Sequence, residues 1–232
     1  MRASVTHQEG FFAGFPSTRR GRYQRESPRI SELVRFDDAF IKEINHDFFK
    51  ADFDYPIRTF VLTDQAQYED FVNNQLRVPG PAGFGIYLYS NKVLATYEDS
   101  GLGTFAHEIL YPLVERNLSS CPPWAVEGIP AFFEKFYGYW ENDKLVLFWG
   151  FQNPWPIEEL GASVIDLELP KIIGDDNPTD RLHAASQNQS ELRMVSIFLW
   201  EQGKFTRFLR LIAAKDKRGY TSYHCCPEKA SR

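Results

Sequence analysis

The chain has 232 residues, 43% of them hydrophobic and 16% aromatic, which suffices for one large domain with a core that needs no disulfides. Its three cysteines, Cys121, Cys225 and Cys226, include no C-x-x-C pair, so a cysteine zinc site is excluded and a disulfide scaffold is not expected. A formal net charge of −5 gives no clustered basic surface, and nucleic acid is not expected as a partner.

In chain order, residues 1–35 read as a flexible, basic and polar leader. The N-terminus lacks the apolar stretch of a signal peptide, so a cytoplasmic location is expected. No apolar run approaches the ~18–20 residues of a membrane span. Residues 36–215 read as the folded domain and 216–232 as a tail. PIRTFVLT at 56–63 reads as a strand. Asp64 then starts a helix through about 76, with Gln67 in the capping-box position, and VPGPAG breaks it. GFGIYLYS and KVLATY read as a hairpin over about 84–97.

Ser100 to Thr104 reads as a break. A helix follows over 104–117, with Phe105, Ile109, Leu113 and Leu118 on one stripe. Pro122-Pro123 opens a second helix expected to run to about Tyr137 and to end at Gly138. Residues 142–150 read as a strand. Residues 153–180 read as loop with short helical pieces. ELRMVSIFLWEQ and FTRFLRLIAAK read as two final helices parted by Gly203. The fold class implied is α+β: a small antiparallel or mixed sheet with an edge hairpin, then a mostly helical half.

The chemistry concentrates at 107–134. On a helix, positions i and i+4 share a face, so His107 and Tyr111 project together. Two histidines at that spacing would hold one zinc ion, and Glu108 beside them would act as general base on a water acidified by the metal. Glu127, on the next helix, offers an anionic third ligand. Here position 111 is tyrosine, not histidine.

HEILYPLV at 107–114, PPWAVEG at 122–128 and AFFE at 131–134 together resemble the gluzincin zinc metallopeptidases, in particular the peptidase-MA-like group. The closer resemblance covers about 82–136 and a looser one about 55–213. It implies a gluzincin-like fold with a peptide cleft beside the hairpin. It also implies His107 and Glu127 as zinc ligands, Glu108 as the base, and Glu134 as a recurrent carboxylate that orients a ligand. Tyr111 stands where the second histidine belongs. A phenol must lose a proton to bind zinc, and its reference pKa is about 10. Pro112 allows some bending of the helix, and His183 or His224 are candidate recruited ligands. The family's oxyanion partner has four candidates: Tyr220, Tyr223, His183 and Arg193.

Two functions follow as expectations. One is zinc-dependent peptide-bond hydrolysis at a degenerate metal site, with zinc weakly bound or lost. The other is a catalytically inactive peptidase-like domain that binds a peptide or protein partner, with an extended segment added along 84–97. A chance motif on a helical scaffold is a third reading. Geometry separates the first two: for zinc, His107 Nε2 and a Glu127 oxygen must reach one point within about 2.0–2.2 Å.

Overall fold

The computed structural model describes residues 28–51, 54–78, 83–118, 123–151 and 185–216. The segment expected as loop at 153–180, the C-terminal tail and most of the leader lie outside these.

The first element is a helix, α1 (Pro28–Asp47), which starts inside the stretch read as leader. Pro28 fits a first helical position because it has no N–H to leave unpaired. Leu33, Phe36, Phe40, Ile41 and Ile44 recur at helical spacing, and the last four are buried. Phe36 stacks on Phe136 and meets Phe105 edge-on, which fastens α1 to the rest of the domain.

Three strands form a mixed sheet in the order β1-β3-β2. They are β1 (Arg58–Leu62), β2 (Gly85–Leu88) and β3 (Val93–Tyr97). β1 runs parallel to β3, from Arg58 opposite Val93 to Leu62 opposite Tyr97. β2 runs antiparallel to β3, from Gly85 opposite Thr96 to Leu88 opposite Val93. The expected hairpin is therefore present, with Lys92 at positive φ in its turn.

Between β1 and β2 lies α2 (Gln65–Asp70), which widens into a π turn at Phe71–Gln75. Asp64 caps it by accepting from the Gln67 backbone N–H at 2.9 Å. Tyr68, Phe71 and Val72 cover one face of the sheet, against Phe60, Leu62, Ala95 and Tyr97. Every residue of β3 is buried, as expected of a central strand covered on both faces.

The other face packs on α3 (Gly101–Asn117). That helix starts at Gly101, inside the stretch read as a break. Gly103 is used for close approach: a Cβ there would lie 2.7 Å from the Glu134 carbonyl oxygen. Phe105, Ile109, Leu113 and Leu118 are all buried, as the stripe predicts.

α4 (Pro123–Glu134) lies against both α3 and α5 (Ala185–Glu201). Its buried residues include Ala125, Val126, Ile129, Phe132 and Phe133. Gly128 lets α5 approach, since a Cβ would meet Leu192 O at 2.8 Å, and Ser196 donates to Gly128 O at 2.9 Å. α4 ends at Glu134, short of Tyr137. Gly138 does not stop it but lies within β4 (Tyr137–Glu141), where Leu147 Cδ2 would be 2.9 Å from a Cβ.

β4 pairs antiparallel with β5 (Lys144–Phe148) as a separate hairpin. Its turn, Asn142-Asp143, has both residues at positive φ, as a tight hairpin requires. The Arg35 guanidinium holds it, 2.7 Å from Asp143 and over the Trp140 ring. α6 (Phe205–Asp216) closes the described chain. No described helix is long and apolar enough to cross a membrane.

Phe133 is fully buried and meets Phe48, Trp149 and Phe132 edge-on at 4.9 Å each. Phe133→Ala is expected to lower stability by about 3–5 kcal/mol in urea unfolding. A loss under about 1 kcal/mol would contradict this packing.

Candidate functional site

His107, Glu108 and Tyr111 come from α3, Glu127 and Glu134 from α4. The close approach at Gly103 brings the end of α4 against the first turns of α3, so Glu134 lies under His107. Both helices are apolar around the site, and His107 and Glu108 are only 5% and 7% exposed. The side chain of Glu127 remains 46% exposed and marks the open side.

His107 and Tyr111 share a face, as their spacing requires. His107 Nε2 is 3.0 Å from the Tyr111 hydroxyl, which donates to Glu127 Oε2 at 2.7 Å. His107 Nε2 and Glu127 Oε2 are themselves 4.0 Å apart. On the far side of the ring, His107 Nδ1 lies 3.5 Å from Glu134 Oε2, an ion-pair contact without a well-formed hydrogen bond. The site is thus a line of contacts: Glu134, His107, Tyr111, Glu127.

The proton count follows from this line. The phenol has one hydrogen, and Glu127 takes it. His107 Nε2 must then donate to the phenol oxygen, while Nδ1 faces a carboxylate. With Glu127 a carboxylate, these contacts place a hydrogen on Nε2, while Nδ1 makes no hydrogen bond. The surrounding charge favours the protonated ring. Burial works against a charged ring, but Glu134, Glu108 and Glu127 outweigh it and hold the His107 pKa above the usual histidine range. Burial raises the Tyr111 pKa well above 10, and the charges of Glu127 and Glu108 raise it further. Glu134 goes the other way. Burial would raise its pKa, yet His107 and Arg193 hold it below the usual carboxylate range.

Tetrahedral ligand atoms about 2.1 Å from the metal stand roughly 3.4 Å apart. The His107–Glu127 separation of 4.0 Å is longer than that, and the two contacts to Tyr111 are shorter. These are hydrogen-bond spacings, and the group joining the two ligand atoms is a protonated phenol. Among the described residues no group of three or more His, Cys, Asp or Glu side chains is placed to hold a metal ion. The donor set in this arrangement does not fit a tetrahedral zinc ion.

Glu108 points to the sheet. A Cβ on Gly85 would lie 2.8 Å from Glu108 Cγ and 3.1 Å from its Oε1, so the carboxylate passes under β2 where glycine leaves room. It accepts a hydrogen bond from the Tyr87 backbone N–H. Burial is the main cause of its pKa of about 7. His107 pulls that value down, and Glu127 and Glu134 push it up. β2 and the turn that follows it also pack on Tyr111. The Tyr87 ring stacks on Tyr111 at 6.2 Å, and Tyr89 meets Tyr111 edge-on at 5.9 Å.

Arg193, a candidate oxyanion partner from the sequence, lies behind Glu134 and not at the open side of the site. It is 2% exposed on α5, bonded to the carbonyls of Ala131 and Phe151 and 3.8 Å from Glu134. It braces the carboxylate behind His107. A lone arginine in the apolar run LRMVSIFLW was the available signal, because a buried guanidinium needs an anionic partner. Tyr220, Tyr223, His183 and His224 lie outside the described residues.

A scan against protein-family models finds no match, and searches of curated proteins and of solved structures find none either.

Glu108 generates a pH dependence. Its raised pKa means that the native state holds this proton more tightly than the unfolded chain. Its contribution is therefore most favourable below the usual carboxylate pKa and falls as pH rises towards about 7. Glu108→Gln removes that dependence. Relative to wild type, the variant is expected to gain about 2–3 kcal/mol between about pH 4 and pH 8 in urea unfolding. A difference that does not change with pH would contradict the buried, carboxyl-rich surroundings of Glu108.

Proposed function

We propose that this domain is a peptidase-like binding module, in which a hydrogen-bonded triad takes the place of a metal centre and an extended peptide or protein segment is held beside β2. The observation that carries this reading is the Tyr111 hydroxyl, which engages both His107 Nε2 and Glu127 Oε2. A zinc ligand must offer a lone pair. The carboxylates around His107 favour a doubly protonated ring, which offers none, and burial favours a neutral Tyr111 phenol. Resemblance to the gluzincins, with His107, Glu108, Glu127 and Glu134 all in place, supplies the peptidase-like ancestry.

The position of β2 supports the choice of ligand. Among the described residues β3 is paired on both sides and β2 is the edge strand of that hairpin, lying over α3 next to Glu108. Strand addition gives affinity through main-chain hydrogen bonds and selects side chains at alternate positions.

Zinc-dependent hydrolysis is the second reading, and one observation favours it. The Glu108 carboxyl, with a pKa of about 7, is poised for proton transfer at neutral pH. In that reading His107 and Glu127 would hold the metal and Tyr111 would complete it poorly. Zinc would supply Lewis acidity.

Elemental analysis separates the two. Wild type is expected to carry well under about 0.1 equivalent of zinc after dialysis, and Tyr111→His close to one. Near-stoichiometric zinc in wild type, lost in Glu127→Ala, would overturn the binding-module reading in favour of the hydrolase.

A further inference from the structure

The last turn of α1 carries a charge pattern that its own position opposes. Glu43 and Asp47, four residues apart, face the same way, and Asp47 ends the helix. A helix C-terminus already bears partial negative charge and favours cations, so two carboxylates there are unfavourable. His46 Nδ1 lies 2.8 Å from Asp47, and Lys144 Nζ stands 4.0 Å from Glu43 with most of its side chain in water. Local conflicts of this kind gather at functional positions.

Beside that turn is a cleft of about 120 Å³, lined by Glu43 and Asp47, by residues 144–147 of β5 and by Trp149. Successive residues of a strand point to opposite faces, so a cleft that touches four in a row runs along the strand's edge. Among the described residues none of its lining comes from β4, which places it on the edge away from β4. The two-residue turn Asn142-Asp143 makes Glu141 and Lys144 the first hydrogen-bonded pair of the hairpin. Leu145 and Leu147 therefore direct their main-chain N–H and C=O groups to that same outer edge. Among the described residues no strand pairs there. Small-molecule pockets hold roughly 300–1,000 Å³, so a cleft of this size suits one long side chain instead.

We propose that the cleft between the end of α1 and the outer edge of β5 takes an extended peptide carrying a lysine or arginine. The peptide main chain pairs with the outward groups of Leu145 and Leu147, and the basic side chain enters towards Glu43 and Asp47. Trp149 and Leu147 cover its methylene stem, while the charged head keeps polar partners. Charge complementarity selects this occupant. Two carboxylates and the negative end of α1 face one mostly exposed lysine, and an exposed ion pair of that length contributes little. Strand addition supplies affinity, and the acidic turn supplies the choice of side chain. The inference goes beyond the site at His107 and does not depend on the reading given to β2.

The test is titration of the full chain with two capped pentapeptides, Val-Thr-Lys-Thr-Val and the same sequence with norleucine for lysine, followed by amide NMR. The lysine peptide is expected to bind wild type at least about tenfold tighter and to slow exchange of the Leu145 and Leu147 amides. Glu43→Gln with Asp47→Asn should remove that preference. Lys144→Ala, which frees Glu43 from its own lysine, should instead strengthen lysine-peptide binding by about threefold or more. A gain of binding cannot come from a damaged fold, so this variant keeps the test readable if the double variant is unstable. Equal binding of the two peptides to wild type overturns the proposal. So does a preference that survives in the folded double variant, or no binding of either peptide at about 1 mM.

Three further outcomes assign the cleft or the peptide differently, and each overturns the proposal. Shifts centred on Gly85–Leu88 instead of β5 place the peptide at the other hairpin. Lysine-peptide binding that develops only when Arg19, Arg20 and Arg22 are changed to alanine gives the cleft to the chain's own basic segment. A dimer in sedimentation that the double variant abolishes gives it to a second copy.

Discussion

Three carboxylates gather around one buried imidazole between α3, α4 and β2, two of them largely out of water and Glu127 at the open side, and the rest of the site depends on how that charge is balanced. Glu108, Glu127 and Glu134 surround His107. Without a compensating cation, so much negative charge in a buried site would be strongly unfavourable. A divalent ion is one way to supply it. Here the electrostatics favour protons in its place: the carboxylates favour a charged His107 ring, and burial favours the protonated forms of Tyr111 and Glu108. Arg193 adds a fixed positive charge behind Glu134. Tyrosine at 111 fits that solution, since it donates one hydrogen bond and accepts another where a histidine would offer a lone pair to a metal.

The scaffold holds this cluster in register through two close approaches. Gly103 brings α3 onto the end of α4, and Gly128 brings α5 onto its middle. The first sets Glu134 against His107, the second sets Arg193 against Glu134. β2 lies over the same cluster through Gly85 and the Tyr87–Tyr111 stack. β2 thus touches Tyr111 through packed rings and Glu108 through the room left at Gly85.

Much of this was legible in the sequence, for identifiable reasons. β1, the β2–β3 hairpin and the Asp64 cap carry strong local signals, and the structure places them as expected. The i, i+4 spacing of His107 and Tyr111 correctly put both on one face. Glu127 was singled out by its place on the second helix and Glu134 by the resemblance to the gluzincins, and both lie beside His107. α1 was not expected as a helix, because the exposed charges Arg35, Asp38 and Lys42 interrupt its apolar stripe. β4 was missed because Tyr137-Gly138 reads as a helix stop, whereas the glycine is needed there for cross-strand packing against Leu147. The contact of Glu108 with Gly85 and Tyr87 joins residues about twenty positions apart, and no local pattern announces it.

The central claim is that His107 is doubly protonated and bound into a triad with Tyr111 and Glu127. Long-range proton–nitrogen NMR of the His107 ring at neutral pH tests it most directly. The account predicts two imidazolium-type nitrogens, and a slowly exchanging Tyr111 hydroxyl proton that is lost in Glu127→Ala. A ring with one nitrogen bearing a free or metal-bound lone pair would contradict it, and the donor set would then have to be read as a metal centre.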